Sequence, residues 1–270
     1  MFETVDYGVE DRVAIIRLNR PEVLNAWSGH MGRDLTAAVD RASNDPEVRA
    51  VLLCGAGRAF CAGGDLNEPY SRTPTGHLDL RSTIEKISTP LIMALREAPK
   101  PVIAAVQGAA AGIGASLALA CDLVLAAESA YFLLAFTRVG LVPDGGGLAF
   151  VNARIGPTRA AELALLAERL PATTALQWGL VNRLHPVEKL ESEAMSLARR
   201  LADGPPLAYA NTKRLLNAAA YATLAEQLSL EADLQQEQGE SGEYEEGVAA
   251  FLEKRPPRFG TSHEKGSTTA

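Results

Sequence analysis

The sequence predicts a mixed α/β core followed by a helical extension. Three observations carry this prediction. Apolar, partly β-branched runs at 12–18, 48–54, 101–106 and 122–127 alternate with amphipathic or glycine-rich stretches over the first two-thirds of the chain. Beyond Gly156 the pattern turns almost wholly helical, with only 179–184 reading as a strand. No stretch rich in Pro, Gly and Ser separates the two parts, so the helices continue the core directly.

In order, strand 12–18 ends at Asn19-Arg20-Pro21, and a helix follows over 28–43. Met31, Leu35, Ala38, Val39 and Ala42 stand there at helical spacing. Asn44-Asp45-Pro46 stops it before strand 48–54. The polar segment 67–77, with two prolines, reads as a mobile loop over a site. A helix over 83–98 contains Pro90, where a break is expected. Strands at 101–106 and 122–127, a short one at 130–133 and a helix over 148–155 complete the core. Further helices fall at 157–168, 173–178, 187–203, 206–219, 221–238 and 241–254. The tail 261–270 is polar and expected to fray.

Composition narrows the function. A length of 270 residues with 47% apolar and 22% charged side chains suits one large globular unit. The net charge of -7 argues against a nucleic-acid surface. Cys54, Cys61 and Cys121 lack metal spacing and fit free thiols in a reducing compartment. His30, His77, His185 and His263 have no ligand spacing either. The N-terminus lacks a charged segment followed by an apolar one, and no apolar run is long enough to span a bilayer. A cytoplasmic location without membrane contact is therefore expected.

Two glycine turns carry the chemistry. The stretch 107–116 follows a buried strand and opens a helix, which leaves backbone N–H groups unpaired at the helix start. The other, earlier in the chain, is Phe60-Cys61-Ala62-Gly63-Gly64-Asp65-Leu66. Gly112-Ile113-Gly114 fails the dinucleotide fingerprint, since Leu117 stands where the third glycine belongs. Ser116 lacks the flanking glycines of a nucleophile elbow, and no histidine lies in a recognisable partner motif. Asp65 suits a cap or turn, and Asp144, before Gly145-Gly146-Gly147, reads locally as a helix N-cap.

Five blocks occur in one order: Asn19-Arg20-Pro21 with Leu24-Asn25-Ala26; Gly57 through Leu66; the 107–116 stretch; Gly140-Leu141-Val142-Pro143-Asp144; and Glu246-Gly247 through Arg255. Across about residues 10–258 the sequence thereby resembles the enoyl-CoA hydratase/isomerase (crotonase) family. The resemblance implies a crotonase-like spiral of repeated ββα units. It also implies a catalytic core at 1–200, a helical region at 201–258 that assembles trimers or dimers of trimers, and a flexible tail at 259–270. The implied substrate is an acyl-CoA thioester, with coenzyme A part of the substrate and no further cofactor. The N–H groups of Gly64 and Ile113 are implied to hold the thioester oxygen. Contacts to coenzyme A are implied at Val23, Leu24, Ala62, Gly64, Asp65 and Leu66, with Lys254 reaching a phosphate.

The hydratases of this family use two glutamates, and the matching positions here are Ser116 and Phe136. Neither can act as a carboxylate base. Asp144 matches the aspartate of family isomerases that act on dienoyl-CoA or epoxyphenylacetyl-CoA, so it becomes the expected proton shuttle. Three alternatives stay open: hydration through a water held by Ser116 and Asp144, a non-catalytic acyl-CoA binder, and a serine hydrolase using Ser116.

Overall fold

The structure is a computed structural model and describes residues 2–260; the predicted frayed tail at 261–270 lies outside these described residues. Strands β1 (Val5–Glu10) and β2 (Val13–Leu18) pair antiparallel. The sequence reading places no strand at 5–10, although Val5, Tyr7 and Val9 alternate there; on this edge strand most residues are exposed. Helix α1 (Gly29–Asn44) buries the predicted face, and the Oγ of Ser28 caps it by accepting the N–H of Met31 at 3.1 Å.

Strand β3 (Ala50–Gly55) is buried along its whole length. Next come α2 (Leu80–Thr83), a π turn at Ile84–Ser88 and α3 (Thr89–Glu97). The backbone stays helical through Thr83 and Ser88, so the expected break at Pro90 is instead a wide turn inside a continuing helix. The π turn adds a residue ahead of the proline, whose ring would otherwise meet a carbonyl one turn back.

Strand β4 (Val102–Val106) leads into β5 (Ala109–Ala111) and α4 (Ile113–Ala120), so the glycine stretch contains a short strand as well as a turn. Strands β6 (Leu123–Ala127) and β7 (Tyr131–Leu133) lead through a 3-10 turn at Phe136–Val139 to α5 (Gly147–Leu166). Gly156 breaks α5 into the two predicted pieces, with φ 78° and ψ 168° before Pro157. Strand β8 (Leu170–Pro171), α6 (Ala172–Trp178) and β9 (Arg183–His185) follow. The strand predicted at 179–184 is thus short and late: Gly179 is the left-handed cap of α6, and the N–H of Leu180 still bonds back to Ala175 at 2.8 Å. Helices α7 (Val187–Ala202), α8 (Pro206–Ala220), α9 (Leu224–Ser241) and α10 (Glu243–Leu252) close the chain.

The main sheet has the order β1-β2-β3-β4-β6-β9, parallel from β2 onward. Helix α7 crosses β3, β4 and β6, while α1 packs on β2 and α3. Burial on both faces explains why the central strands read as unbroken apolar runs. The small sheet β5-β7-β8 stands apart, and a bridge between Cys61 and Ala110 joins it to the first glycine turn. Each main-sheet strand β4 and β6 is followed by a small-sheet strand and then by a helix, giving the expected spiral of ββα units. No described helix is long and apolar enough to cross a membrane. The three cysteines are buried and free.

Candidate active site

The two glycine turns meet backbone to backbone. The N–H of Cys61 donates to Ala109 at 3.0 Å, and the N–H of Ala111 returns to Cys61 at 2.9 Å. The approach continues at Gly114, where a Cβ would stand 2.4 Å from the carbonyl oxygen of Cys61. Any side chain there would push α4 off the first turn. The N–H of Gly112 is held by Leu133 at 2.8 Å. The N–H of Gly64 and that of Ile113, the first residue of α4, donate to no acceptor among the described residues. Open space lies where a Cβ on Gly64 would project.

The 24–27 segment forms the outer rim. Ala62 donates to Leu24 at 3.1 Å, Trp27 to Gly63 at 2.7 Å and Asp65 to Trp27 at 2.8 Å. Leu24, Ala62, Gly64 and Asp65 thereby lie along one ladder, with Val23 and Leu66 next to its members in sequence. Buried Asn25 anchors it by accepting the N–H of Arg20 and donating to Ala56 and Ala59. The Asp65 carboxylate ion-pairs with Arg20 at 2.8 Å and accepts the N–H of Asn67 at 3.1 Å. Burial pushes its pKa up, but these partners win and hold it below the usual carboxylate value. This is the turn role read for it from sequence. Lys254 is exposed just beyond α10, and no hydrogen bond or ion pair among the described residues joins it to this ladder.

Asp144 is not a helix cap. Helix α5 starts at Gly146 with no side-chain cap, so the local reading of Asp144 as an N-cap is overturned. Its Oδ2 accepts a hydrogen bond from the Nε2 of Gln235 at 3.1 Å, and its Oδ1 is buried without a partner. Burial pushes the Asp144 pKa up to about 6, opposed by the Gln235 hydrogen bond. Glu231 takes the capping position instead, with Oε2 accepting the N–H of Gly146 at 2.9 Å. Burial, and then the Asp144 charge, push Glu231 up to about 7 despite the opposing N–H of Gly146.

Ser116 ties the two halves together. Its Oγ donates to the carbonyl of Asp144 at 2.7 Å, and its side chain has no exposed surface. Gly145, at φ 63°, lets the turn press close: a Cβ there would lie 2.4 Å from the Cδ1 of Ile113. Asp144 is therefore attached to the helix whose first N–H is free. The ring of Phe136 supplies an apolar wall, with its Cζ 3.9 Å from where a Cβ on Gly112 would stand. Tyr70, from the 67–77 segment, meets Tyr244 of α10 edge to face at 6.2 Å. Burial, the neighbouring Tyr244 and the Asp144 charge raise the Tyr70 pKa, which puts this pair beside the carboxylate.

Gln235, Glu231, Tyr70 and Tyr244 escape the sequence reading. One signal was available: Gln227, Glu231 and Gln235 recur every four residues on a helix whose Leu224, Leu228 and Ala232 also face inward. Among the described residues no group of three or more His, Cys, Asp or Glu side chains could hold a metal ion.

Comparison with known proteins decides the family. The family model described as "Enoyl-CoA hydratase/isomerase" matches residues 8–262. The chain belongs to the enoyl-CoA hydratase/isomerase family. Two relatives carry names of different reactions. A probable enoyl-CoA hydratase of Rhodobacter capsulatus is 45% identical over 258 residues, covering 96% of this chain and 98% of the relative. The 1,2-epoxyphenylacetyl-CoA isomerase of Escherichia coli is 44% identical over 260 residues, covering 96% and 99%. Among solved structures, an enoyl-CoA hydratase from Mycobacterium avium subsp. paratuberculosis K-10 superposes with a TM-score of 0.87. It is 40% identical, with 96% of this chain and 99% of that one covered. The enoyl-CoA hydratase/isomerase family acts on acyl-CoA thioesters.

Proposed function

We propose that this family member is an acyl-CoA isomerase that shifts a double bond, or rearranges a ring epoxide, through a thioester enolate. One observation carries the reading. Asp144 presents a buried, unbonded carboxylate oxygen beside the turn of Ile113, while Ser116 and Phe136 stand where hydratases carry glutamates. The ionised Asp144 removes a proton from one carbon of the acyl chain. The electron pair moves onto the thioester oxygen, where the N–H groups of Gly64 and Ile113 stabilise the charge. One such donor is worth ~3 kcal/mol of barrier. Collapse of the enolate then takes the proton back from Asp144 at a different carbon. A carboxyl titrating near 6 is half-way between acid and base close to working pH, as a shuttle requires.

Hydration is the second reading, favoured by the name of the R. capsulatus relative. It needs one group to activate water and another to protonate carbon, whereas the Ser116 hydroxyl proton is already engaged by the Asp144 carbonyl. The same engagement argues against a serine nucleophile. In this scheme coenzyme A enters as part of the substrate along the 23–24 and 62–66 ladder, and no separate cofactor takes part. Lys254 serves a phosphate only if a second copy brings it there, in keeping with the trimeric assembly and cytoplasmic setting we assign. Helix α8 supports assembly: Lys213 is its one buried residue, and Leu207, Leu215 and Leu216 are more than half exposed.

The test is turnover on a panel of 3-enoyl-CoA, ring-epoxide aryl-CoA and 2-enoyl-CoA thioesters. Shifted or rearranged products are expected, with loss of turnover in Asp144→Ala and an acid limb in kcat/KM near pH 6. Full activity of Asp144→Ala, or 3-hydroxyacyl-CoA as the sole product, would overturn the reading. A non-catalytic binder would bind the thioesters and turn over none of them.

A further inference from the structure

Gln235 and Glu231 lie one turn apart on α9, and both side chains reach the segment that carries Asp144. Gln235 is 1% exposed. Its Oε1 accepts the N–H of Val142 at 3.3 Å, and its Nε2 donates to the Val142 carbonyl at 2.9 Å and to Asp144 Oδ2 at 3.1 Å. Pairing with both polar groups of Val142 fixes the rotation of the amide, so its NH2 faces the carboxylate. Glu231 holds the far end of the same turn through the N–H of Gly146, and its own Oε1 takes a hydrogen bond from Gln227 at 3.1 Å. Buried polar groups of this kind add nothing to the packing of α9, which Leu224, Leu228 and Ala232 already supply. What they add is a fixed geometry at both ends of one turn.

We propose that Gln235, braced by Glu231 on the same helix, is the positioning residue for Asp144: it binds one carboxylate oxygen and leaves the other as the sole proton acceptor. The inference rests on reading Asp144 as the proton shuttle. A shuttle must face two carbons in turn without rotating between them, and a hydrogen bond to the non-reacting oxygen enforces that. The same bond favours the ionised form.

The groups facing the carboxyl set the signs of the test. From α9 come the Gln235 amide and the Glu231 carboxyl; from the 67–77 segment comes the Tyr70 phenol, backed by Tyr244 of α10. Helix α4 presents Ser116, which bonds only the backbone carbonyl, and the apolar Ile113. Gln235→Leu removes a donor and raises the Asp144 pKa. Glu231→Gln keeps an acceptor for Gly146, and because Glu231 titrates above Asp144 it is already largely neutral while Asp144 ionises, so that pKa stays in place. A purely structural role for α9 would move both variants alike.

The experiment combines a carboxyl titration with kinetics. Aspartate carboxyls labelled with carbon-13 are followed by NMR against pH, the Asp144 signal being the one lost in Asp144→Asn. Steady-state kinetics use whichever thioester of the panel is turned over. Gln235→Leu should lower kcat roughly 10- to 100-fold, the size of one hydrogen bond to a charged group, and leave KM within about twofold. Its Asp144 signal and acid limb should both move to higher pH, while those of Glu231→Gln stay in place. Should the leucine variant not fold, Gln235→Glu keeps the shape and places a second carboxyl beside Asp144, with the same upward shift expected. An Asp144 signal that titrates unchanged in the Gln235 variants would overturn the proposal. Full turnover in Asp144→Asn alongside the predicted shifts would uphold the hold on the carboxyl and sink the isomerase reading instead.

Discussion

Asp144 should be a destabilising residue at neutral pH. The folded chain binds its proton more tightly than the unfolded chain does, since burial raises the pKa from 3.8 to about 6. Ionising it therefore removes stability as the pH rises from about 4 through about 6, and the full cost stands above that range. The shift corresponds to at most about 3 kcal/mol. Asp144→Asn should accordingly raise the melting temperature by several degrees at pH 8, with the gain fading toward pH 4. Thermal melts at both values check this, and an equal gain at both would contradict it. At this scale the sequence exposes Asp144 only as one candidate beside a capping role. What separates them is Glu231, which takes the Gly146 N–H from a distant helix. Nothing in the sequence near Asp144 points to such long-range partners, and the four-residue recurrence on α9 does not say what Gln235 faces.

Between elements, the decisive contact is the turn at 144–147 pressed onto α4. Gly145→Ala would combine a left-handed backbone with a Cβ 2.4 Å from Ile113 Cδ1. A loss of about 2 kcal/mol or more is expected, with a fall in kcat because the Ile113 N–H moves. Chemical denaturation and turnover measure the two effects. Ser116→Glu is a second check. It would place a carboxylate where hydratases carry one, yet Ser116 is wholly buried and a Cβ on Gly147 would already stand 2.6 Å from its Oγ. No 3-hydroxyacyl-CoA should form, and stability should drop. The strands and helices that bury a full face are legible in the sequence, as Met31, Leu35 and Val39 of α1 or the whole of β3 illustrate. Strand β1 goes unread, although Val5, Tyr7 and Val9 alternate there, because only Val5 of that set is buried on this edge, and the start of β9 is masked by the Leu180 bond back into α6. Pro90 misleads because a π turn, which has no sequence signature of its own, absorbs it.

At the scale of the whole molecule, α8 leaves long apolar side chains uncovered by the described residues. Leu207, 73% exposed, and Leu215, 72% exposed, lie on it, and an apolar surface of this kind favours self-association. On the proposed trimeric reading, Leu215→Glu should shift the protein toward monomer, read as a lower molar mass by light scattering. An unchanged mass would remove α8 from the interface. The order of motifs along the chain makes the family resemblance legible from sequence. The predicted boundary at residue 200, by contrast, leaves Asp144 and its partner Gln235 on opposite sides.

That separation has a consequence in time. Gln235 follows Asp144 by 91 positions, whereas both glycine turns precede Asp144. A chain growing from its N-terminus completes the paired N–H groups early, and domains generally begin folding during synthesis. On the proposed reading, its proton shuttle stays unheld until α9 has emerged and docked. A partly made polypeptide could grip a thioester oxygen and still transfer no proton. Competence arrives with the last third of translation.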